Sequence, residues 1–564
     1  MAQFFQTAPT LLHPWHEDAA LQAWFQARVP ASYRKCWQPG LERLGERAVT
    51  EMPALAAAAE RQPPEHIPYD PWGHRIDEIR VSDAWCRLEA IASEEGVVAT
   101  AYERSDGAWS RVHQFLRLYL YQPTSAICSC PMAMTDGAAR VLELHADEAL
   151  RERVLPHLLS RDPDRFWTSG QWMTERSGGS DVSGSETEAI AREGGEFGLH
   201  GVKWFTSATT SRMAMTLARV RDGEQADEKL SLFFVETRDE ETGLLRNIRV
   251  NRLKDKLGTR ALPTAELTLE GTPARMVGER GRGVATISSI LNITRLYNAC
   301  CAAGYLGHGL RLATDYARKR HVFGRPLIDQ PLHRETLADL ATEHQAAFQF
   351  VFECARLLGR EECGEASEDE RVLLRLLTPV AKLYTARQAV AGCSEVLECF
   401  GGAGYVEDTG LPALLRDAQV LSIWEGTTNV LSLDLLRALG QADGQAWTLM
   451  MTVLSERLAS VDAPAAQKTL LQDALKALVT LPRDWLAEGE AHFQANARLL
   501  AYRLGAVVCS LLLLEQAAMN KDGNGSRQSA VAARWLRQRV QGGFQAHPAG
   551  EAMSILDLDK HKGA

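Results

Sequence analysis

Several absences in this 564-residue chain narrow what it can be. The longest apolar run, LGAVVCSLLLL (Leu504 to Leu514), falls well short of the ~20 residues a membrane-crossing helix needs, so it is expected to be a core helix. The eleven cysteines lack metal-ligand spacing: Cys128 and Cys130 form a lone CxC, and Cys300 and Cys301 adjoin within an apolar run. They are expected to act as buried small hydrophobes in a reducing compartment, and no metal site is expected. Excess positive charge is also missing. With 62 Lys and Arg against 72 Asp and Glu, the net charge of -10 argues against a general polyanion binder and leaves room only for a local basic face. The opening residues MAQFFQTAPTLLHPWHED have neither a secretory apolar core nor an Arg/Ser-rich transit pattern, which points to a cytoplasmic protein. There is no internal repeat and no low-complexity tract.

What is present is an ordinary globular composition, 45% apolar and 24% charged, in a chain long enough for three or four domains. Residues 1–165 read as helical segments punctuated by Pro and Gly, as in RQPPEHIPYDPWG. Residues 166–275 change period: KLSLFFVET and AELTLEG are short, rich in β-formers and separated by turn signals, which predicts a compact antiparallel β domain. Residues 276–440 are helical. Leu337, Leu340, Ala341, His344, Phe348, Val351, Phe352 and Ala355 recur at i, i+3, i+4 spacing, with His344 expected as a hydrogen-bonded core histidine. Residues 441–564 form a helical extension.

Three segments offer chemistry. MTERSGGSD (Met173 to Asp181) has a Gly178–Gly179 turn whose backbone N–H groups can approach an anion, with Ser180 as a further donor; read alone, it is a surface turn. GVKWFTS (Gly201 to Ser207) offers the flat rings of Trp204 and Phe205, which in isolation read as core. SIWEGTTN (Ser422 to Asn429) sets Glu425 between Trp424 and Gly426. A carboxylate lodged against apolar surface has its charged form disfavoured, which suits it to general-base work. On its own it reads as a solvated glutamate.

Taken together and in order, these segments resemble the acyl-CoA dehydrogenase family, as do GERGRG (Gly278 to Gly283), RHVFGRPL (Arg320 to Leu327) and ECFGGAGY (Glu398 to Tyr405). The likeness spans about residues 165–440. MTERSGGSDV, RLKDKLGTR (Arg252 to Arg260), RHVFGRPLIDQPLHR and SIWEGTTN single out the AidB-like branch, the adaptive response to alkylation. The resemblance implies a mainly α fold: an N-terminal helical domain, a central antiparallel β domain, a C-terminal four-helix bundle and a helical extension. It implies FAD as cofactor, held by Met173, Thr174, Gly179, Ser180, Phe205, Ser207, Trp424, Thr427 and Asn429. The adenine half would reach a neighbouring subunit through Arg320, Phe323, Glu398, Gly401 and Gly402, hence a homo-oligomer, a tetramer.

Glu425 would remove the α-proton of an acyl-CoA thioester while the β-hydride passes to flavin N5, yielding a trans-2-enoyl-CoA, with enolate stabilisation by donors that include its own backbone N–H. Some relatives carry the base just before the arginine matching Arg295, here assigned to substrate. That residue is Thr294, which is no carboxylate. Glu398 and Pro331 stand where the family commonly has glutamine, and Phe205 where it has a flavin-flanking tryptophan. An electron-transfer flavoprotein is the expected electron acceptor, with oxygen the acceptor in related oxidases. The branch supplies a second function, a DNA-associated flavoprotein with weak dehydrogenase activity. RWLRQRV would provide Arg534, Arg537 and Arg539 for phosphate contact, against the expectation of a solvated or subunit-packing helix.

Overall fold

The computed structural model describes residues 6–223, 225–440, 444–520, 525–542 and 551–556. Its contacts group the chain into two compact units. One comprises Met1–Val49, Asp106–Leu120 and Asn298–Ala564; the other comprises Thr50–Ser105 and Tyr121–Tyr297.

The second unit is built around a β barrel. Its strands are β3 (Ser169–Trp172), β4 (Glu188–Ala191), β5 (Phe197–Ser207), β6 (Met213–Asp222), the short β7 (Gln225–Ala226), β8 (Ser231–Glu236), β9 (Ile248–Leu253) and β10 (Thr264–Val277), after an N-terminal hairpin of β1 (Glu65–Tyr69) and β2 (Arg75–Arg80). The order β6–β4–β5–β10–β8 closes because β8 also pairs with β6, with β3 and β9 each paired on one side only. Leu217, Leu232 and Phe234 point to one side with Val277, while Phe233, Val235, Leu267 and Leu269 fill another core.

The antiparallel expectation needs correction, since β3 and β4 both run parallel to β6. Parallel neighbours require long connections, which local turn signals cannot reveal. The hairpin also corrects an all-helical reading of the first stretch. Asp70 accepts from the backbone N–H groups of Trp72 and His74 at 2.8 Å to make its turn, and Arg75 donates to the carbonyl of Val250 at 2.8 Å, docking the hairpin on β9.

The first unit is helical. Its main members are α1 (Ala19–Arg28), the latter part of α2 (Gly283–Lys319), α3 (Pro331–Glu362), α4 (Glu368–Cys399), α5 (Leu411–Leu421), α6 (Thr428–Gly440) and, in the extension, α7 (Ala497–Met519) and α8 (Gly525–Trp535). α4 begins at a capping box: the hydroxyl of Ser367 accepts from the N–H of Glu370, whose carboxylate accepts from the N–H of Ser367. α7 is long and apolar enough to cross a membrane, yet 78% of its apolar window is buried, as expected of a core helix. Arg457 joins the extension to the bundle by pairing with Glu353 of α3 and Glu515 of α7, both at 2.8 Å, and Arg28 of α1 reaches Glu515 at 2.9 Å.

His344 is the core histidine expected. Its Nε2 meets the Tyr119 hydroxyl at 2.8 Å, and burial lowers its pKa to about 4. All eleven cysteines are free thiols; Cys36 and Cys86 are exposed rather than buried. Among the described residues no His/Cys/Asp/Glu group could hold a metal ion.

Candidate active site

In the β unit, the Met173–Asp181 segment follows β3. Glu175 and Gly178 exchange backbone hydrogen bonds at 3.2 and 3.1 Å, closing a tight turn. Gly178 takes φ +138°, a conformation side chains disfavour. At Gly179 a Cβ would lie 2.4 Å from the Thr174 hydroxyl, so only glycine lets the two segments approach. The turn is anchored by a residue pair that motif reading passed over. Glu175, almost fully buried, accepts from Lys203 Nζ at 2.7 Å, from the Thr187 hydroxyl at 2.6 Å and from the Glu186 N–H at 2.6 Å. Burial would raise its pKa, but Lys203 and these donors outweigh burial and hold the carboxyl below its ordinary range. The signal in the sequence was Lys203, the one charged residue in the strand segment GVKWFTS. The Trp204 N–H then donates to the Thr174 carbonyl at 3.0 Å, tying this turn to β5.

β5 carries the aromatic pair with a β-bulge. Thr206 pairs with Ala265 and Lys203 with Leu267, so Trp204 and Phe205 face the single residue Glu266 of β10. Two residues against one break the strict alternation of faces and re-aim side chains. Accordingly one ammonium sits against both rings: Lys254 Nζ is 3.6 Å from the Trp204 centroid and 4.6 Å from that of Phe205. Phe205 keeps 53% of its surface exposed. Ser207, at the strand end, shares a 3.1 Å hydrogen bond with the Thr264 hydroxyl. Met173 is half-buried against the barrel core, Ser180 is exposed, and Arg295 is half-buried on the part of α2 belonging to this unit.

In the helical unit, Glu425 lies in the turn joining α5 to α6 and is half-buried. Its φ is +55°, followed by +97° at Gly426. A non-glycine residue held left-handed costs about 1–3 kcal/mol and persists where its surroundings over-determine it. Two long-range clamps do so. Asn298, on α2, donates to the Leu421 carbonyl at 3.0 Å and accepts from the Trp424 indole N–H. Lys382, fully buried on α4, donates to the Gly426 carbonyl at 2.6 Å. Sequence reading missed both. Asn298 is an amide in the apolar run LYNACCAAG, and Lys382 a cation on the otherwise apolar face TPVAKLYTA. Thr427 and Asn429 are exposed at the start of α6, where the Thr427 hydroxyl accepts from the Val430 N–H at 3.4 Å.

The residues expected to meet the adenine half occupy two chain turns of the same unit. Phe323, φ +51° and 97% exposed, tips the hairpin after α2, and Arg320 precedes it. Glu398, Gly401 and Gly402 are exposed at the end of α4. The Tyr316 and Phe400 rings, 4.7 Å apart, make these two turns neighbours. Leu332 and Tyr405 are also largely exposed.

The proposed phosphate-contacting arginines need correction. Arg534 is fully buried, held by Glu335 at 2.9 Å, Asp339 at 2.6 Å and Glu551 at 3.3 Å. Arg537 pairs with Glu551 and Arg539 with Glu343, each at 2.5 Å. Among the described residues, these three arginines are already paired with the protein's own carboxylates and are not free for phosphate contact. These residues fasten the extension to α3.

Comparison with known proteins assigns successive stretches. The Adaptive response protein AidB N-terminal domain matches residues 8–165, the acyl-CoA dehydrogenase middle domain 170–272, the acyl-CoA dehydrogenase C-terminal domain 281–440, and the Acyl-CoA dehydrogenase 11 C-terminal domain-like family 451–547. Acyl-CoA dehydrogenase family member 11 of Caenorhabditis elegans is 42% identical over 93% of this chain and 87% of its own length. Its crystal structure in complex with C11-CoA superposes with a TM-score of 0.90 at 40% identity, covering 97% of this chain and 94% of that one. The putative acyl-CoA dehydrogenase AidB of Escherichia coli is 33% identical over 72% of this chain and 74% of its own. An acyl-CoA dehydrogenase from Bacillus anthracis complexed with FAD shares the fold, with a TM-score of 0.73 at 18% identity over 98% of this chain and 94% of that one. With relatives this similar along most of its length, the chain belongs to the acyl-CoA dehydrogenase family, an FAD-dependent family, and carries the N-terminal domain of its AidB branch.

Proposed function

We propose that the protein dehydrogenates an acyl-CoA thioester to a trans-2-enoyl-CoA, with Glu425 as the base that removes the α-proton. The observation that carries this reading is the left-handed Glu425, held by the Asn298 and Lys382 clamps on either side of it. Strain maintained by buried, long-range polar contacts is characteristic of a side chain aimed for use. The relative crystallised with C11-CoA supports a medium or longer acyl thioester as substrate.

The residues present fit FAD. Gly179 leaves no room for a side chain beside Thr174, which suits a backbone that closely approaches a phosphate, and Phe205 offers an exposed flat ring with Ser207 two residues on. Met173, Thr174, Gly179, Ser180, Phe205 and Ser207 would hold the flavin half with Trp424, Thr427 and Asn429. When bound, FAD supplies the acceptor for the β-hydride. The chain's own contribution is the proton step. Glu425 accepts the α-proton, and its main-chain N–H donates to the thioester oxygen as negative charge grows there. Arg295 is proposed to contact the substrate.

The exposed Phe323, Leu332 and Tyr405 support a homo-oligomer, proposed as a tetramer, in which Arg320, Phe323, Glu398, Gly401 and Gly402 meet the adenine half bound to a neighbour. An electron-transfer flavoprotein is proposed as the acceptor. The test is anaerobic titration of the purified yellow protein with acyl-CoAs of graded length. Bleaching of the flavin band by some of them is expected. Retention of full colour with every chain length would remove the dehydrogenase reading, and rapid oxygen consumption would reassign it as an oxidase.

A further inference from the structure

A cleft of about 620 Å³ opens in the helical unit between α3, α4, α7 and the turn after α8. That volume lies within the range of small-molecule sites, about 300–1,000 Å³. None of its lining residues belongs to the Glu425 turn or to any cofactor-contacting motif.

α4 lends the cleft one face: Tyr384, Arg387, Gln388 and Glu395 recur at i, i+3, i+4, i+11 spacing. α7 adds Tyr502 and Arg503. The two tyrosine rings stand 5.8 Å apart, edge to face. Two lining carboxylates are already consumed. Asp339 accepts from Arg534 and Gln538, both at 2.6 Å, and Glu343 accepts from Arg539 at 2.8 Å and from the Gln388 amide at 2.7 Å.

What remains is unmatched. Arg387 and Arg503 expose guanidinium groups with no carboxylate partner among the described residues. Gln388 is over nine-tenths buried, yet its Oε1 accepts no hydrogen bond among the described residues. A buried acceptor left unmade costs about 1–3 kcal/mol, which a donor group entering the cleft would recover.

We propose that this cleft binds a small zwitterionic ligand. Its phosphate or carboxylate pairs with Arg387 and Arg503, and its amino or hydroxyl donor reaches Gln388 Oε1 and the Glu395 carboxylate. Paired guanidinium forks match an oxyanion in geometry as well as charge, and the tyrosines cover the ligand's carbon frame. The site is separate from acyl-CoA turnover and stands whether or not that reaction is confirmed.

Isothermal titration of the full-length protein with phosphoethanolamine, inorganic phosphate and ethanolamine tests the assignment. Phosphoethanolamine is expected to bind at least about tenfold more tightly than either single-function probe. That advantage should vanish in the R387E/R503E double variant and shrink in Q388L, with the melting temperature of the surface double variant unchanged. Flotation with phosphatidylethanolamine vesicles separates a lipid headgroup from a soluble ligand; both carry the same chemistry. Absence of saturable binding by any probe overturns the proposal, as does equal binding by the double variant. So does a change of oligomeric state in the double variant without probe binding, which would make the cleft a contact between copies.

Discussion

Replacing Lys382 with methionine tests how the base is held. The substitution keeps most of the buried hydrocarbon and removes the ammonium that donates to the Gly426 carbonyl at 2.6 Å. A hydrogen bond from a charged donor contributes roughly 1.5–3 kcal/mol. The left-handed conformation of Glu425, φ +55°, costs about the same, 1–3 kcal/mol. Losing the clamp therefore brings a relaxed turn within thermal reach of the strained one. A base displaced by about 1 Å loses on the order of a hundredfold in rate. The expected result is a ten- to hundredfold slower flavin reduction by acyl-CoA in anaerobic stopped flow, equivalent to about 1.4–2.7 kcal/mol. Far-UV circular dichroism should be unchanged, and the rate is taken per bound flavin, because the same turn carries Trp424 and Thr427. Gly426→Ala provides an independent perturbation of the same turn, since the residue sits at φ +97° and a Cβ would press on Leu431 at 3.0 Å. Unaltered reduction rates in both variants, with FAD bound, would refute the claim that this turn positions the base.

Three further outcomes follow from other parts of the chain. Gly179→Ala must push its Cβ into the Thr174 hydroxyl, now 2.4 Å away, and is expected to weaken FAD retention about tenfold or more, read as the flavin-to-protein ratio after dialysis. Glu353 is buried. Although burial raises its pKa, Arg457 and Arg356 outweigh burial and hold it far below the ordinary carboxylate range. Its stabilisation is therefore present above the unfolded carboxylate pKa, about 4.3, and is lost as pH falls through the depressed folded value. Glu353→Gln should destabilise the helical unit at neutral pH by about 3 kcal/mol, with the gap from wild type closing in strong acid, as measured by denaturant melts. Arg534→Leu leaves Glu335, Asp339 and Glu551 without their shared cation and is expected to lower the melting temperature. Salt-dependent DNA retention that fell in this variant without such a loss would restore the nucleic-acid reading.

The sequence carried the fold's outline because its signals are local. The 3.6-residue period along Leu337 to Ala355 marks α3, the β-former segments mark β8 and β10, and the ordered motifs mark the turns where chemistry sits. What stayed hidden depends on partners far along the chain. The Trp204–Phe205 bulge exists only once Glu266 is paired opposite, some sixty residues away. Asn298 and Lys382 become clamps only when α2 and α4 lie beside the α5–α6 turn. Arg534 and Arg537 read as a basic helical face until their carboxylates arrive from α3 and from Glu551. The parallel strands alongside β6 were invisible for the same reason.

The most direct measurement is anaerobic reduction of the Glu425→Gln protein by an acyl-CoA that bleaches the wild type. Glutamine keeps the size of the side chain and cannot accept the α-proton. A yellow variant with normal FAD content that stays oxidised while still binding the thioester is expected. Bleaching at the wild-type rate would contradict Glu425 as the base and require the proton to leave by another group.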